Sequence, residues 1–193
     1  MSYYKLYSKI IVHYTKKYYE KINYLSFILF SLNGFSQFGI GIGYGSSKAK
    51  VSEGSASISG DAVSGLSLGL IAGIPISDAI KLETGLSFGF AKVDGESSKS
   101  WGIPLIAKFY TNGSDGFHIR GGVGYSATME DVDTDVLKKG AFSAGLGLGY
   151  DISENFALTA TYSSQISNSA GSYWNDDVKI KGSGFGVGLQ YFF

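Results

Sequence analysis

Five ionisable side chains lie close to two short turns of the chain and could form one enclosed cluster: Lys81, Glu83, Lys108, His118 and Arg120. Enclosed charges need partners, so the simplest chemistry for this set is a network of salt bridges that seals the space around it. Because three basic residues besides His118 accompany a single acid, the second possibility is a narrow constriction that prefers small anions. The choice depends on the elements that carry these residues.

An acidic stretch is the second candidate for chemistry. Asp131, Asp133 and Asp135 alternate as the first ligands of a calcium-binding loop do. The sixth position of such a loop is Gly and the twelfth is Glu, whereas this chain has Val136 and Phe142 there. We therefore predict a solvated acidic loop and no metal site. No motif in the chain predicts a cofactor.

The elements that carry these residues share one repeating pattern. Large apolar side chains take every second position, with small, polar or charged residues between them. A period of two is typical of β-strands that have one uniformly apolar face. Eight segments show it: 38–46, 62–72, 79–91, 101–111, 117–129, 139–151, 156–166 and about 178–193. The spacing predicts long loops after the odd-numbered strands and short turns after the even-numbered ones.

The charges decide which face is turned inward. The apolar face carries almost no charge, whereas the opposite face holds all five residues of the cluster. An Arg or Lys facing lipid at mid-membrane would cost about 2–4 kcal/mol, so the charged face is predicted to line the interior. Because lipid cannot satisfy an open strand edge, the pattern predicts an all-β, eight-stranded, antiparallel, up-and-down transmembrane β-barrel. Its long loops would be extracellular and its short turns periplasmic.

Two local features interrupt the pattern. Val178 and Ile180 are out of phase with Phe185 and the residues after it. This predicts either a glycine bulge near residues 182–184 or a strand end that projects above the membrane. Pro104 cannot donate a hydrogen bond to a ladder, so we place it near the loop-side rim of its strand, where a bulge would be tolerated.

The N-terminal 36 residues have the features of an export signal. Lysines precede an apolar run at 24–32, which is much shorter than the roughly 20 residues of a membrane-spanning helix. Gly34 and Ser36 provide small residues just before a cut at Gln37. We expect residues 1–36 to be a cleavable signal peptide with an extended N-terminal lead, and residues 37–193 to be the barrel domain. A short membrane anchor is the alternative.

Composition narrows the range of partners. The chain has no cysteine, which excludes disulfides and thiolate metal sites. Five of the 16 basic and one of the 16 acidic residues fall within residues 1–36, so that the rest carries a net charge of −4. A mildly acidic body argues against nucleic-acid binding. Tyr and Phe are abundant, which suits membrane-interface girdles, and we assign Tyr173 and Trp174 to such a girdle.

These features resemble a known family. The residues that carry the resemblance are the terminal Tyr191 and Phe193, Gly188 before them, the Ile-Pro-Leu segment at 103–105, and Gly-Phe-Ser-Gln at 34–37. Residues 37–193 resemble the small eight-stranded outer-membrane barrels of the OmpA/OmpX type, in particular porin-like versions from Bacteroidetes-type bacteria. One departure is Gly186, where the terminal signal often has a polar residue.

The resemblance implies a location in the outer membrane of a Gram-negative bacterium. It also implies insertion by the barrel assembly machinery, which would read Gly188, Tyr191 and Phe193 in the last strand. The expected partners are outer-membrane lipids and lipopolysaccharide, and the expected state is a monomer.

The family shares an architecture and no single activity, so several functions remain open. The main expectation is a structural or surface-interaction role, and the alternative is a low-conductance pore for small solutes or anions. A lipid-modifying barrel enzyme would need a Ser/His pair near the outer leaflet, but His118, the one histidine after residue 36, is predicted at the opposite end. We therefore predict no enzyme activity. A soluble lipocalin-like barrel would need the apolar face inward, which the leader, the glycine-rich second face and the aromatic terminus disfavour.

Overall fold

The computed structural model describes residues 37–193, except residues 94, 114 and 115. The expected signal peptide lies outside the described residues. The strands are β1 (Gln37–Glu53), β2 (Ala56–Ser77), β3 (Ile80–Val93), β4 (Glu96–Tyr110), β5 (Phe117–Thr128), β6 (Gly140–Asp151), β7 (Phe156–Gln165) and β8 (Val178–Phe192). Each strand pairs with its sequence neighbours, and β1 also pairs antiparallel with β8. The predicted eight-stranded up-and-down barrel is confirmed.

The outer face is a band of apolar side chains between two aromatic edges. Trp101 and Phe109 mark these edges on β4, and Tyr125 and Phe117 mark them on β5. On each strand the two aromatic residues are eight positions apart. At about 3.3 Å per residue this separation is about 26 Å along the strand, which corresponds to a height of about 20 Å for a strand tilted by about 40°. Outward leucines have no protein covering them, and Leu146 is 70% exposed. The apolar face is therefore the lipid face, and the inward-facing arrangement of a soluble barrel is wrong. No helix among the described residues is long and apolar enough to cross a membrane.

The predicted long loops after β1 and β3 are wrong. Both connections are tight turns, at Gly54 (φ 56°) and Gly95 (φ 88°), where positive φ favours glycine. Residues 47–53 continue β1, paired on one side with the start of β2 and on the other with the start of β8. Their polar composition predicts a loop, but strands outside the lipid need only backbone partners. The other two long connections, residues 129–139 (loop A) and 166–177 (loop B), are present as predicted.

In β8, Val178 and Ile180 point to the opposite face from Phe185 and the apolar residues after it because they pack under loop B, and not because the strand contains a bulge. The β1–β8 register runs without a shift from Glu53↔Val178 to Gly39↔Phe192. Asn168 of loop B donates through Nδ2 to the carbonyl oxygen of Val178 (2.9 Å), and its Oδ1 accepts from the Ile180 amide (2.9 Å). Val178 is buried there. The expected glycine bulge is wrong, and the strand end projects above the lipid band.

Pro104 lies in the middle of β4 and not at its rim. It pairs with Gly124 in an unbroken β4–β5 register. On its other side, the β3–β4 pairing is interrupted between Thr84↔Leu105 and Ser87↔Gly102. This gap accommodates the missing N–H of Pro104, whose carbonyl oxygen accepts a hydrogen bond from Thr84 Oγ1 (2.9 Å). The predicted bulge at the strand rim is therefore wrong.

Candidate functional site

Glu83 of β3 is the centre of a buried charge network that crosses the lumen near the end that carries the β2–β3, β4–β5 and β6–β7 turns. Its Oε1 is 2.5 Å from Lys108 Nζ of β4, and its Oε2 is 3.6 Å from Arg120 Nη2 of β5. From β8, on another part of the wall, Gln190 accepts a hydrogen bond from Lys108 (3.2 Å) and donates one to Glu83 (3.4 Å). All four side chains are buried, and Lys108 is 1% exposed. These residues, which we call the lumen network, bind one another across the lumen.

The strand register explains why the lumen network needs Glu83. Lys108 lies directly opposite Arg120 in the β4–β5 ladder and opposite Lys81 in the β3–β4 ladder. Like charges in directly opposite positions repel, and burial makes an unpaired cation more costly still. Glu83 contacts both buried cations, and the Phe192 ring lies 5.1 Å from Lys108 Nζ.

A second buried group adjoins the lumen network. His118 Nδ1 is 3.5 Å from Asp151 Oδ1 and 3.2 Å from the carbonyl oxygen of Gly116, and His118 is 0% exposed. Tyr110 donates a hydrogen bond to Asp151 Oδ2 at 2.8 Å, and its ring centroid is 4.9 Å from that of His118. Asp151 adds a second acid to this end of the lumen. The excess of basic over acidic side chains, on which the hypothesis of an anion-selective constriction depends, is therefore smaller than predicted.

Lys81 lies apart from the other four residues of the predicted cluster. Its Nζ sits 5.0 Å from the centroid of the Tyr110 ring, and the ion pairs found among the described residues do not include it. A cavity of about 230 Å³ at the periplasmic mouth is lined by Lys81, Asp151 and Phe156. The structure thus brings together Glu83, Lys108 and Arg120, with His118 in the adjoining group, and leaves Lys81 at the mouth.

Sequence reasoning missed three residues of the site, namely Asp151, Tyr110 and Gln190. Each continues the alternation of inward positions on its strand: Asp151 follows Gly149 on β6, and Gln190 follows Gly188 on β8. Extending the alternation to the last residue of each strand would have placed all three in the lumen.

Above the lumen network the barrel encloses a cavity of about 650 Å³. Arg120 lies at its floor, and the wall is built mainly from inward residues with small side chains: Gly41, Gly43, Ser67, Gly69, Ser87, Gly89, Ser100, Thr159, Thr161, Ser163, Gly186 and Gly188. Ser67 faces this space and is exposed to solvent. The cavity is therefore open on the side away from the lumen network.

Loops A and B are joined through backbone groups. Trp174 Nε1 donates to the carbonyl oxygen of Val136 at 2.9 Å, and the Gly171 amide donates to the same oxygen at 2.9 Å. An isolated bridge also pairs Leu137 with Ala170. Trp174 thus fastens loop B to loop A, and its assignment to the membrane girdle is wrong. Tyr173 packs against the Trp174 ring and is 76% exposed.

The three aspartates of loop A have separate partners. Asp131 contacts Lys139 Nζ at 3.2 Å, and Asp133 Oδ1 accepts from the Asp135 amide at 3.0 Å. Asp135 accepts a hydrogen bond from Ser172 Oγ at 2.8 Å. Within the described part of the chain, no group of three or more His, Cys, Asp or Glu side chains is placed to hold a metal ion.

The three residues of the expected assembly signal lie along the lower half of β8 and just beyond its end. Tyr191 packs against Phe156 (4.9 Å between centroids) and against Phe193 (5.3 Å) on the outer face. Gly188 faces the lumen, where an added Cβ would lie 3.0 Å from Thr159 Oγ1. Recognition of these residues by the assembly machinery stays a prediction.

Comparison with solved structures finds similar barrels at low sequence identity. The attachment invasion locus protein Ail of Yersinia pestis is 15% identical with a TM-score of 0.48, and the match covers 81% of this chain and 98% of that chain. Neisserial surface protein A is 17% identical with a TM-score of 0.46, covering 80% of this chain and 97% of that one. The N-terminal β-barrel domain of Pseudomonas aeruginosa OprF is 18% identical with a TM-score of 0.42, covering 78% and 97%. Comparison with curated proteins finds no match.

Comparison with family models supplies the assignment. Residues 30–193 match the model described as the outer membrane protein beta-barrel domain. The match spans most of the chain, and the structure has the closed ladder and the apolar outer band that such a domain requires. The chain therefore belongs to the outer membrane protein β-barrel domain family and is an integral protein of the Gram-negative outer membrane.

Proposed function

We propose that this protein is a closed barrel that presents extracellular hairpins and loops in a structural or surface-interaction role. The observation that carries the proposal is the bridge that Gln190 makes across the lumen to Lys108 and Glu83. A pore needs a path along which an ion exchanges its water for weakly held ligands. Here the polar side chains that would line such a path bind one another and are buried.

The part of the molecule available to partners is the extracellular end. The β1–β2 hairpin extends above the lipid band, and Ile58 near its tip is 78% exposed. Loops A and B are fastened to each other by Trp174, so they would present a shaped surface. An ordered loop surface loses less entropy on binding than a mobile one. A surface-interaction role therefore fits the structure better than transport.

We also propose that the protein is not an enzyme. His118 is fully buried, and it contacts Gly116, Asp151 and the Tyr110 ring. A nucleophile–base pair requires a hydroxyl within hydrogen-bond reach of the base, and the hydrogen bonds of the described residues include no such contact to His118. Its position at the periplasmic end also separates it from outer-leaflet lipids. Insertion by the assembly machinery and a monomeric state belong to the same proposal.

Planar-bilayer recording tests the closed barrel. We expect no stable conductance steps from the purified protein. The double variant Glu83→Ala/Lys108→Ala, which removes the closest ion pair of the lumen network and leaves Arg120 as its remaining charge, should open small steps. The matched control Ser87→Ala/Ser163→Ala removes two lumen hydroxyls above the lumen network and should stay silent. Stable steps from the unmodified protein would overturn the proposal in favour of the pore.

A further inference from the structure

Arg120 differs from the other members of the lumen network, because two of its three side-chain nitrogens have no partner. Its Nη2 atom lies 3.6 Å from Glu83 Oε2. The Nε and Nη1 atoms are buried, and neither has a hydrogen-bond partner within the described part of the protein. The side chain as a whole is 5% exposed. An enclosed N–H group that makes no hydrogen bond costs free energy, so this guanidinium has unused capacity for a ligand.

The charges of the lumen network leave one positive charge without a counter-charge. Lys108 and Arg120 are two cations and Glu83 is one acid, so the sum is +1. Glu83 is closer to Lys108 Nζ (2.5 Å) than to Arg120 Nη2 (3.6 Å). The other acid at this end, Asp151, accepts a hydrogen bond from Tyr110 at the periplasmic mouth. The charge that needs an anion is therefore that of Arg120.

This guanidinium adjoins the cavity of about 650 Å³ above the lumen network, and it also lines a smaller space of about 140 Å³. Four further residues line both spaces: Pro104, Ile106, Thr161 and Ser163. Among the described residues that line either space, Arg120 is the only charged one. Cavities of about 300–1,000 Å³ are typical of small-molecule sites. An anion that enters from the loop side would therefore meet a single cation at the floor.

The wall above Arg120 carries hydroxyl groups that can bind a polar ligand. Ser87 and Thr159 donate hydrogen bonds to backbone carbonyl oxygens of the wall. Four other hydroxyl residues of the wall take no part in the side-chain hydrogen bonds found between residues 37 and 193: Ser67, Ser100, Thr161 and Ser163. A hydroxyl group both donates and accepts. The wall therefore matches a ligand that carries several hydroxyl groups of its own.

We propose that the cavity is a binding site for a small hydroxylated carboxylic acid, of the sugar-acid class. Its carboxylate would bind Arg120, and its hydroxyl groups would bind those of the wall. A guanidinium binds a carboxylate through two parallel N–H groups, and the contact of Glu83 with Nη2 alone leaves one edge for the ligand. A single negative charge balances the +1 of the lumen network, whereas a phosphate ester would bring about −1.5 to −2. The inference rests on the closed floor of the proposed function and adds a ligand to it.

The first test compares ligands on the unmodified barrel in phosphatidylcholine nanodiscs, by isothermal titration calorimetry. The probes are D-glucuronate, D-glucose and a glucose monophosphate, which share a hexose ring and differ in charge. Because glucose cannot form the charge-assisted bonds to Arg120, it should bind about 10–100-fold more weakly than glucuronate. The phosphate ester should also bind more weakly. No binding of glucuronate, or binding no tighter than that of the other two probes, would overturn the proposal.

The second test locates the ligand. Arg120→Gln removes the cation at the floor and leaves the Glu83–Lys108 pair balanced, so it should bind glucuronate about 10–100-fold more weakly. The matched control Lys81→Gln removes a cation at the periplasmic mouth and should change binding less than twofold. Thr161→Phe, which fills the space beside Arg120 and keeps the cation, should also weaken binding. Gel mobility before and after heating gives the folded fraction by which each titration is normalised.

Two outcomes of the second test contradict the proposal. Equal binding of glucuronate by Arg120→Gln and Lys81→Gln would show that the floor cation does not hold the ligand. Loss of binding in Lys81→Gln alone would place the ligand at the periplasmic mouth. Either result would leave the closed-barrel proposal intact, because bilayer recording tests that separately.

Discussion

The imidazole ring of His118 on β5 lies directly against the backbone of its ladder partner Gly149 on β6. A Cβ atom added to Gly149 would overlap the ring at Nε2 and Cε1. The glycine therefore provides the space in which a fully buried imidazole reaches Asp151. The two residues form one packing unit beside the lumen network.

Gly149→Ala should destabilise the barrel because the buried ring cannot move aside freely. We expect the free energy of unfolding, measured by urea titration in lipid vesicles, to fall by about 1–3 kcal/mol. Gly69→Ala is the matched control, since the nearest atom to its added Cβ is the Leu86 carbonyl oxygen at 3.6 Å. Equal stability of the two variants would show that His118 does not occupy the space over Gly149.

Gln190→Leu should also lower stability, because it removes both hydrogen bonds that link β8 to Lys108 and Glu83. Hydrogen bonds to charged groups contribute about 1.5–3 kcal/mol each, so the loss of two is expected to cost about 3 kcal/mol or more in the same titration. Ser163→Ala changes a lumen residue outside the lumen network and should cost much less. A Gln190→Leu barrel as stable as this control would contradict the bridge.

An arginine should be tolerated on the lumen face of the barrel wall but not on its lipid face. Leu146→Arg places a charge on the lipid face and should cost about 2–4 kcal/mol near the membrane centre. Thr161→Arg places the same charge in the cavity of about 650 Å³ and should be tolerated much better. Comparing the folded yields of the two variants after refolding into vesicles measures the difference. A reversed order would mean that the faces are exchanged.

Trp174→Phe should loosen loop B, since it keeps an aromatic ring but removes the hydrogen bond to the Val136 carbonyl oxygen. One such bond contributes about 1 kcal/mol, which corresponds to about fivefold faster cleavage of loops A and B in limited proteolysis. Tyr173→Phe is the control, because it removes only a hydroxyl group from an exposed ring. The aromatic contact of residue 173 with Trp174 is kept. Identical cleavage rates would refute the fastening role.

The sequence predicts the faces of the strands well, because side-chain direction depends only on parity along each strand. Parity placed Glu83, Lys108 and Arg120 in the lumen correctly. It does not predict which positions of distant strands lie at the same height, since this depends on the stagger of the closed barrel. The contact of Gln190 with Glu83, between strands that are not neighbours, therefore could not be derived.

The extracellular end was predicted poorly for a different reason. Residues 47–53 are mostly polar, and the two apolar ones, Ala49 and Val51, share the face of the β1 glycines and not that of Ile42 and Tyr44. The apolar alternation of β1 therefore does not continue through this segment. Residues 47–53 form a strand because β2 and β8 supply backbone partners on both sides. The fastening of Trp174 to Val136 likewise depends on a backbone oxygen, for which side-chain types give no signal.

The most direct test of a lumen closed at its periplasmic end is the labelling of Ser67→Cys by a polar, membrane-impermeant maleimide. The chain has no cysteine of its own, so the reaction reports this position alone. In proteoliposomes of one orientation, verified by labelling of Tyr173→Cys, the reagent is supplied from one side at a time. We expect rapid labelling from the loop side and none from the turn side. Equal rates from both sides would mean that the lumen network leaves a continuous path, and the closed barrel would be wrong.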